Sequence, residues 1–244
     1  MPEITGSSLL LALDTTTRAG SVAVARGDDV LALIQGDRTR THGERLPGEI
    51  EQVLQRAAVK PEQLDLLVVS SGPGAFTGLR IGLAAIQGLA MVLGKSVIGV
   101  SALDALAQAA REECGIAIDT TVVAWMDAAR GEVFSAAYRV GQNGPEPIVD
   151  PMVGLPPDML RALPSAIGGT VTFIGDGALR YREQIHSAIP SARIIEPVPL
   201  IAPALTRLGR RRAAAGGAGP PHALQPLYVR RPDAELDRER HVKA

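Results

Sequence analysis

The stretch Leu9–Ala25, "LLLALDTTTRAGSVAVA", is an unbroken apolar run that ends in an aspartate, turns through three threonines to a glycine, and then alternates. A short continuous apolar run is the pattern of a strand buried on both faces. The alternation continues past Gly27–Asp29 into "VLALIQ", so two further strands joined by a hairpin are expected. The same design returns at Thr120–Asp127, "TTVVAWMD", followed by "AARGEVFSAAYRV". Two strands that each end in Asp, each leading through a turn and a glycine to an alternating strand, predict a duplicated α/β fold.

The intervening chain fills in the plan. Leu46, Ile50, Val53, Leu54 and Ala57 mark one face of a helix with Pro47 in its first turn. "LDLLVVSS" (Leu64–Ser71) is a second buried strand. The glycine turn "SGPGAFTGLRIG" (Ser71–Gly82) then launches an apolar helix over Thr77–Leu93. A strand at Ser96–Val100 and a helix opened by Ser101 and Asp104, in a capping-box pattern, complete a βββαβαβα half. After Thr120 the strands "PIVDPMVG", "TVTFIGDGA" and "ARIIEP" and the helices "PDMLRAL", "LRYREQIHSAI" and "LIAPALTRLGRRRAAA" give a second half. Residues 1–115 and 116–215 are expected as two subdomains, and residues 216–244 as an extension. In that extension "LQPLYVRR" is expected to form a docked strand and the last charged residues are expected to be disordered.

Composition narrows the function. The chain has 244 residues, 46% of them hydrophobic and only 3% aromatic, and a formal net charge of −1 that gives no global reason to bind nucleic acid. One cysteine, Cys114, forms no internal disulfide. The four histidines have no helical pairing, so no metal centre is expected, and no G-x-S-x-G elbow is present. No targeting segment is visible, and the apolar helix falls short of the roughly 20 residues of a membrane span. A soluble cytoplasmic protein is expected.

The paired plan resembles the actin-like ATPase fold (the ASKHA, ribonuclease H-like group), whose members hold ATP between two halves. That resemblance assigns phosphate contacts to the turns after Asp14 and Asp127. A phosphate turn of this fold reads Asp-x-Gly-Thr, whereas here Asp14 is followed by Thr15, Thr16 and Thr17, with Thr16 in the glycine's place. Ala129 stands at the matching place after Asp127. Gly175 and Gly177, in "GDGA", fall where the fold holds adenosine. The expected site is therefore degenerate. The glycine turn lacks the lysine of a P-loop, so Gly72, Gly74 and Gly78 are expected to serve a sharp strand-to-helix turn. The helix beyond carries only Arg80 and Gln87 as long polar side chains, so burial on both sides is expected. Gly78, Gly82, Ala85 and Gly88 would let a second helix approach. Arg80, set against the helix dipole, calls for a fixed anionic partner, across a joint with another chain or at Asp14.

"LALDTTTRAGSVAV", "HGERLPGEIEQVL", "VVSSGPGAFTGLRIGLAAIQGLA", "GVSALDALA", "DAARGEVF" and "LYVRRPDAE" together resemble the bacterial TsaB (YeaZ) family of tRNA threonylcarbamoyladenosine biosynthesis proteins. The resemblance implies a role in modifying position 37 of tRNAs that read codons beginning with A. It also implies a partner, the catalytic paralogue TsaD, with the ATPase TsaE joining the pair, and self-association as a homodimer through the same surface. Leu46, Ile50, Val53, Arg80, Leu83, Ile86, Gln87 and Ala90 would form the partner face. TsaD carries a His-x-x-x-His metal motif where this chain reads "VSALDALA" (Val100–Ala107), so the resemblance is to the non-catalytic paralogue. ATP or ADP is then expected only in the complex, tRNA contact is indirect, and no peptidase activity follows. Two other classes compete. An ATP-dependent small-molecule kinase or transferase needs competent phosphate turns. A tRNA-binding protein would use Arg207, Arg210, Arg211 and Arg212 with Arg230 and Arg231, for which helix-terminal charge and a solvated tail are the plainer reading.

Overall fold

The computed structural model describes residues 4–163 and 170–230. It contains two five-stranded sheets of identical order. The first runs β3-β2-β1-β4-β5 and the second β8-β7-β6-β9-β10. The first is built from β1 (Leu9–Asp14), β2 (Ser21–Arg26), β3 (Asp29–Gln35), β4 (Leu66–Gly72) and β5 (Ser96–Ser101). The second is built from β6 (Thr121–Asp127), β7 (Val133–Gly141), β8 (Gly144–Gly154), β9 (Val171–Ile174) and β10 (Arg193–Ile194). In each sheet three antiparallel strands are followed by two parallel ones. Leu11 pairs with Val24 on one side and Leu67 on the other, and Val123 pairs likewise with Ala137 and Phe173. This duplicated topology is that of the actin-like fold.

The helices stack in layers. α1 (His42–Arg56) and α2 (Phe76–Leu93) cover the outer face of the first sheet, packing Leu46, Val53, Leu79, Leu83 and Ile86 against Leu11, Leu13 and Val24. α4 (Pro156–Ala162), α5 (Asp176–Arg180) and α6 (Arg182–Ala188) cover the outer face of the second, around Trp125 and Phe173. α3 (Ala102–Glu112) and α7 (Ala202–Ala214) lie between the sheets, packed on each other. α3 packs mainly on β6, β7 and β8 of the other half, and α7 on β1, β2, β4 and β5. Leu10, Val68 and Val100 of the first sheet thus share one continuous core with Val122, Phe134 and Tyr138 of the second. The sequence boundary near residue 115 separates two repeats but does not divide this core.

Several local expectations change. α1 begins at His42, not near Pro47, because the Glu44 carboxylate reaches back to the Thr41 N–H at 2.8 Å and ties down the first turn. Pro47 therefore sits inside the helix, and His42 is in a helix rather than a loop. Ser101 does cap α3, accepting from the Asp104 N–H, but the Asp104 carboxylate turns away to Tyr138 and Arg212 instead of closing the box. The segment expected as one helix after Gly177 is two, broken at Tyr181. The stretch Leu224–Arg230 docks without forming a strand. The charged end of the chain expected to be disordered, with Arg231, lies outside the described residues.

Candidate functional site

The gap between the Asp14 and Asp127 turns encloses about 500 Å³, bordered by Thr16, Thr17, Ala129, Asp176, Leu79 and Tyr228. The first turn is held from within. Thr16 donates to Asp14 Oδ1 through its N–H (2.9 Å) and its hydroxyl (2.6 Å). The Thr16 side chain lies against Gly74 of the glycine turn, where a Cβ would come 2.4 Å from Thr16 Cβ without room to shift. The space that a glycine would open to a phosphate is thus filled by Thr16 itself. Burial pushes the Asp14 carboxyl above its usual pKa, a shift that the Thr16 hydrogen bonds oppose.

The same turn is clamped from outside by both outer helices. His42 Nε2 donates to Thr17 O at 3.0 Å, and its Nδ1 accepts from Arg45 at 2.9 Å, which fixes a neutral ring. Burial and the adjacent Arg45 cation hold the His42 pKa below its ordinary value. Arg45, almost wholly buried, also donates to Arg18 O and Ala19 O and pairs with Glu49. From α2, Gly78 and Gly82 press on Thr15, and a Cβ at either would overlap Thr15 oxygens. These two glycines therefore admit the chain's own turn, not a second chain. Of the glycines expected to receive a partner helix, Gly88 alone faces open space.

In the second half Asp127 Oδ2 accepts from Arg180 at 2.5 Å, and its Oδ1 accepts from the Ala129 N–H. Ala129 and Arg130 both have positive φ, the backbone that glycine would adopt freely. Gly175 and Gly177 pack on β6: a Cβ at Gly177 would lie 2.7 Å from Met126 C, and one at Gly175 would overlap Trp125 O. Asp176, whose carboxyl is also pushed up by burial, accepts from the Asp127 and Gly177 N–H groups. The turns that would hold ATP are closed around their own side chains, and the residues do not fit a triphosphate. Among the described residues no cluster of His, Cys, Asp and Glu is placed to hold a metal ion.

The expected partner face is only partly a surface. Leu46, Val53, Leu83, Ile86 and Ala90 are buried at 6% exposure or less in the core beneath α1 and α2. Leu46 and Val53 of α1 and Leu83, Ile86 and Ala90 of α2 share one core cluster with Leu11, Leu13 and Val24 of the first sheet. Ile50 and Gln87 are half-buried, Gln87 donating to Pro221 O and Leu224 O. Arg80 is exposed, but its partners are aromatic. Its guanidinium lies 3.9 Å over the Phe76 ring and its Nε donates to the Tyr228 hydroxyl. Asp14 is not its partner. The outward ridge of α2 is Thr77, Arg80, Ala84, Gly88 and Met91, flanked by Phe76 and Val92, with Met91 72% and Val92 85% exposed. Helical spacing joins these positions, but two apolar faces left the choice between them open. α2 is apolar and long enough to cross a bilayer by composition, yet its inner face is core of this chain.

The arginines of α7 are engaged inside the molecule. Arg207 pairs with Glu112 and Glu113, Arg210 with Asp28, and Arg212 with Asp104, while Arg211 donates to Asn143 O. They staple α7 to both halves instead of forming a free basic patch.

Comparison with known proteins places the chain among relatives of one kind. A family model described as TsaD, tRNA N6-adenosine threonylcarbamoyltransferase, matches residues 36–200. The tRNA threonylcarbamoyladenosine biosynthesis protein TsaB of Escherichia coli is 33% identical over 168 residues, covering 69% of this chain and 71% of that one. The Bacillus subtilis TsaB is 28% identical over 229 residues, covering 93% and 96%. The solved structure of YeaZ from Pseudomonas aeruginosa superposes with a TM-score of 0.75 at 31% identity, over 91% of this chain and 99% of that one.

Proposed function

This chain belongs to the TsaB family of tRNA threonylcarbamoyladenosine biosynthesis proteins, and from that premise we propose that it acts as the non-catalytic partner of TsaD. In this reading it supports formation of threonylcarbamoyladenosine at adenosine 37 of tRNAs reading codons that begin with A. It works in the cytoplasm, with TsaE joining the pair. The observation that carries the reading is the bare apolar stretch of the α2 ridge at Ala84, Gly88, Met91 and flanking Val92, with Met91 and Val92 among the most exposed large apolar side chains. Contiguous apolar surface of this kind marks a protein contact, and the same ridge serves self-association. ATP or ADP belongs to the complex with TsaD and TsaE, because Thr16 and Arg180 already engage both turns of this cleft. tRNA is met through the partners, since the α7 arginines are paired internally.

The test places a charge on the ridge where no core residue is disturbed. Ala84→Glu and Met91→Glu each bury a carboxylate in the contact and should weaken association with purified TsaD by roughly a hundredfold. Thermal stability should stay unchanged, and threonylcarbamoyladenosine formation in the reconstituted system should fall. Leu83→Glu does not serve, since Leu83 is core. If both variants bind TsaD and self-associate as the parent does, the ridge is not the contact.

A further inference from the structure

The segment Leu224–Arg230 has no regular structure, yet it is fastened at both ends to different halves of the molecule. On the first half, Gln87 of α2 donates to Leu224 O, and the Leu227 N–H donates to Ser71 O at 2.7 Å. Gly72 is bare beneath it: a Cβ there would lie 2.7 Å from Leu227 O. Tyr228 stacks on Phe76 with ring centres 5.7 Å apart, and Arg80 closes that group. On the second half, Arg230 donates to Ala128 O at 2.9 Å, pairs with Glu132, and lies 5.6 Å over the Phe134 ring. Between these anchors Leu227–Arg230 form one wall of the 500 Å³ gap between the two degenerate turns.

We propose that Leu224–Arg230 is a strap that holds the inter-sheet gap shut, and that the gap opens by release of its Arg230 end. The two anchors are unequal. The α2 end combines a backbone hydrogen bond, a ring stack and a cation over a ring. At the far end a hydrogen bond, a cation over a ring and an ion pair all hang on one side chain, that of Arg230, and its ion pair with Glu132, 23% and 32% exposed, is weakened by salt. The weaker anchor sits on the turn after Asp127, so its loss frees the second half's side of the gap first.

Amide hydrogen exchange of the full chain, read by mass spectrometry, tests this. Arg230→Ala should speed exchange about tenfold at residues 75–79 and 16–19 and at the Leu227 amide, none of them a hydrogen-bond, ion-pair or ring partner of Arg230, as expected for a sub-global opening. Arg230→Lys, which keeps the charge and loses the fork, should give a smaller effect. One molar salt, which weakens the Glu132 ion pair alone, should raise exchange at the same residues of the unaltered chain by a smaller factor, a check that needs no variant to fold. If exchange rises only at residues 128–134, or nowhere, while circular dichroism is unchanged, the segment merely adheres to the surface and the proposal fails.

Discussion

At the scale of single residues, the cleft records charges that the fold has had to contain. Asp14 is buried, and burial holds its carboxyl above the usual pKa, so the folded chain binds that proton more tightly than the unfolded chain does. Ionised Asp14 therefore subtracts from stability, and the deficit grows as pH rises from the ordinary carboxylate value through the folded one. Asp14→Asn keeps an oxygen for the Thr16 N–H and hydroxyl and removes the charge, at the edge of a second cavity of about 320 Å³ that Asp14 lines. The variant should melt a few degrees higher near neutral pH, on the order of 2–4 °C for each kcal/mol in a chain of this size. The gap should close on acidification. A melting series across that range checks it; a gap that widens in acid would mean that the carboxylate form is the stabilised one. His42 has the opposite sign. Its lowered pKa makes its contribution complete above the ordinary histidine value and lost as pH falls through the folded one.

At the scale of elements, α2 carries two kinds of glycine that sequence alone does not tell apart. Gly82 meets Thr15 Oγ1, whereas Gly88 meets nothing within 4 Å. Gly82→Ala forces the first turn away from α2 and should cost about 1–3 kcal/mol. Gly88→Ala adds helix propensity at an open site and should stabilise the isolated chain by about 0.5–1 kcal/mol. Urea unfolding of the two variants decides this, and equal effects would mean that α2 is rotated from the position described. The bounds of α2 were legible to within one residue, Thr77 expected against Phe76 found, because the glycine turn before it and Gly94 after it are local signals. The duplicated plan was legible too, since each repeat announces itself by an apolar run ending in Asp. The choice of face was not. A helix apolar on both sides gives no period to orient it, which is why Leu83, Ile86 and Ala90 were expected outside and are found in the core. The closed Asp14 turn was legible in part: Thr16 signals a lost glycine, but the clamp from His42 and Arg45 depends on α1 starting five residues before Pro47.

At the scale of the whole molecule, the exchange of α3 and α7 between the sheets packs two repeats around one continuous core. No local pattern announces that exchange, because a helix that packs on its own sheet and one that packs on the neighbouring sheet need the same apolar face. Residues 1–115 without α7 would leave Leu10, Ala12, Val68 and Ile98 without cover, and Glu112 and Asp104 would lose their α7 arginines. The full chain should therefore unfold in one transition, with calorimetric and van't Hoff enthalpies equal, and the fragment of residues 1–115 should show no cooperative unfolding. Gly209 supplies the sharper test, because it lets α7 lie close on the first sheet: a Cβ there would lie 2.7 Å from Val68 Cγ2. Gly209→Ala should destabilise the chain by about 1–3 kcal/mol. If the core is shared, hydrogen exchange should then rise together in β1, β4, β6 and β7, although the atoms nearest the added Cβ belong to Val68 and Ile98 of the first sheet. A rise confined to β1 and β4, with β6 and β7 as protected as before, would mean that the halves are stabilised separately and that the continuous core is not a cooperative one.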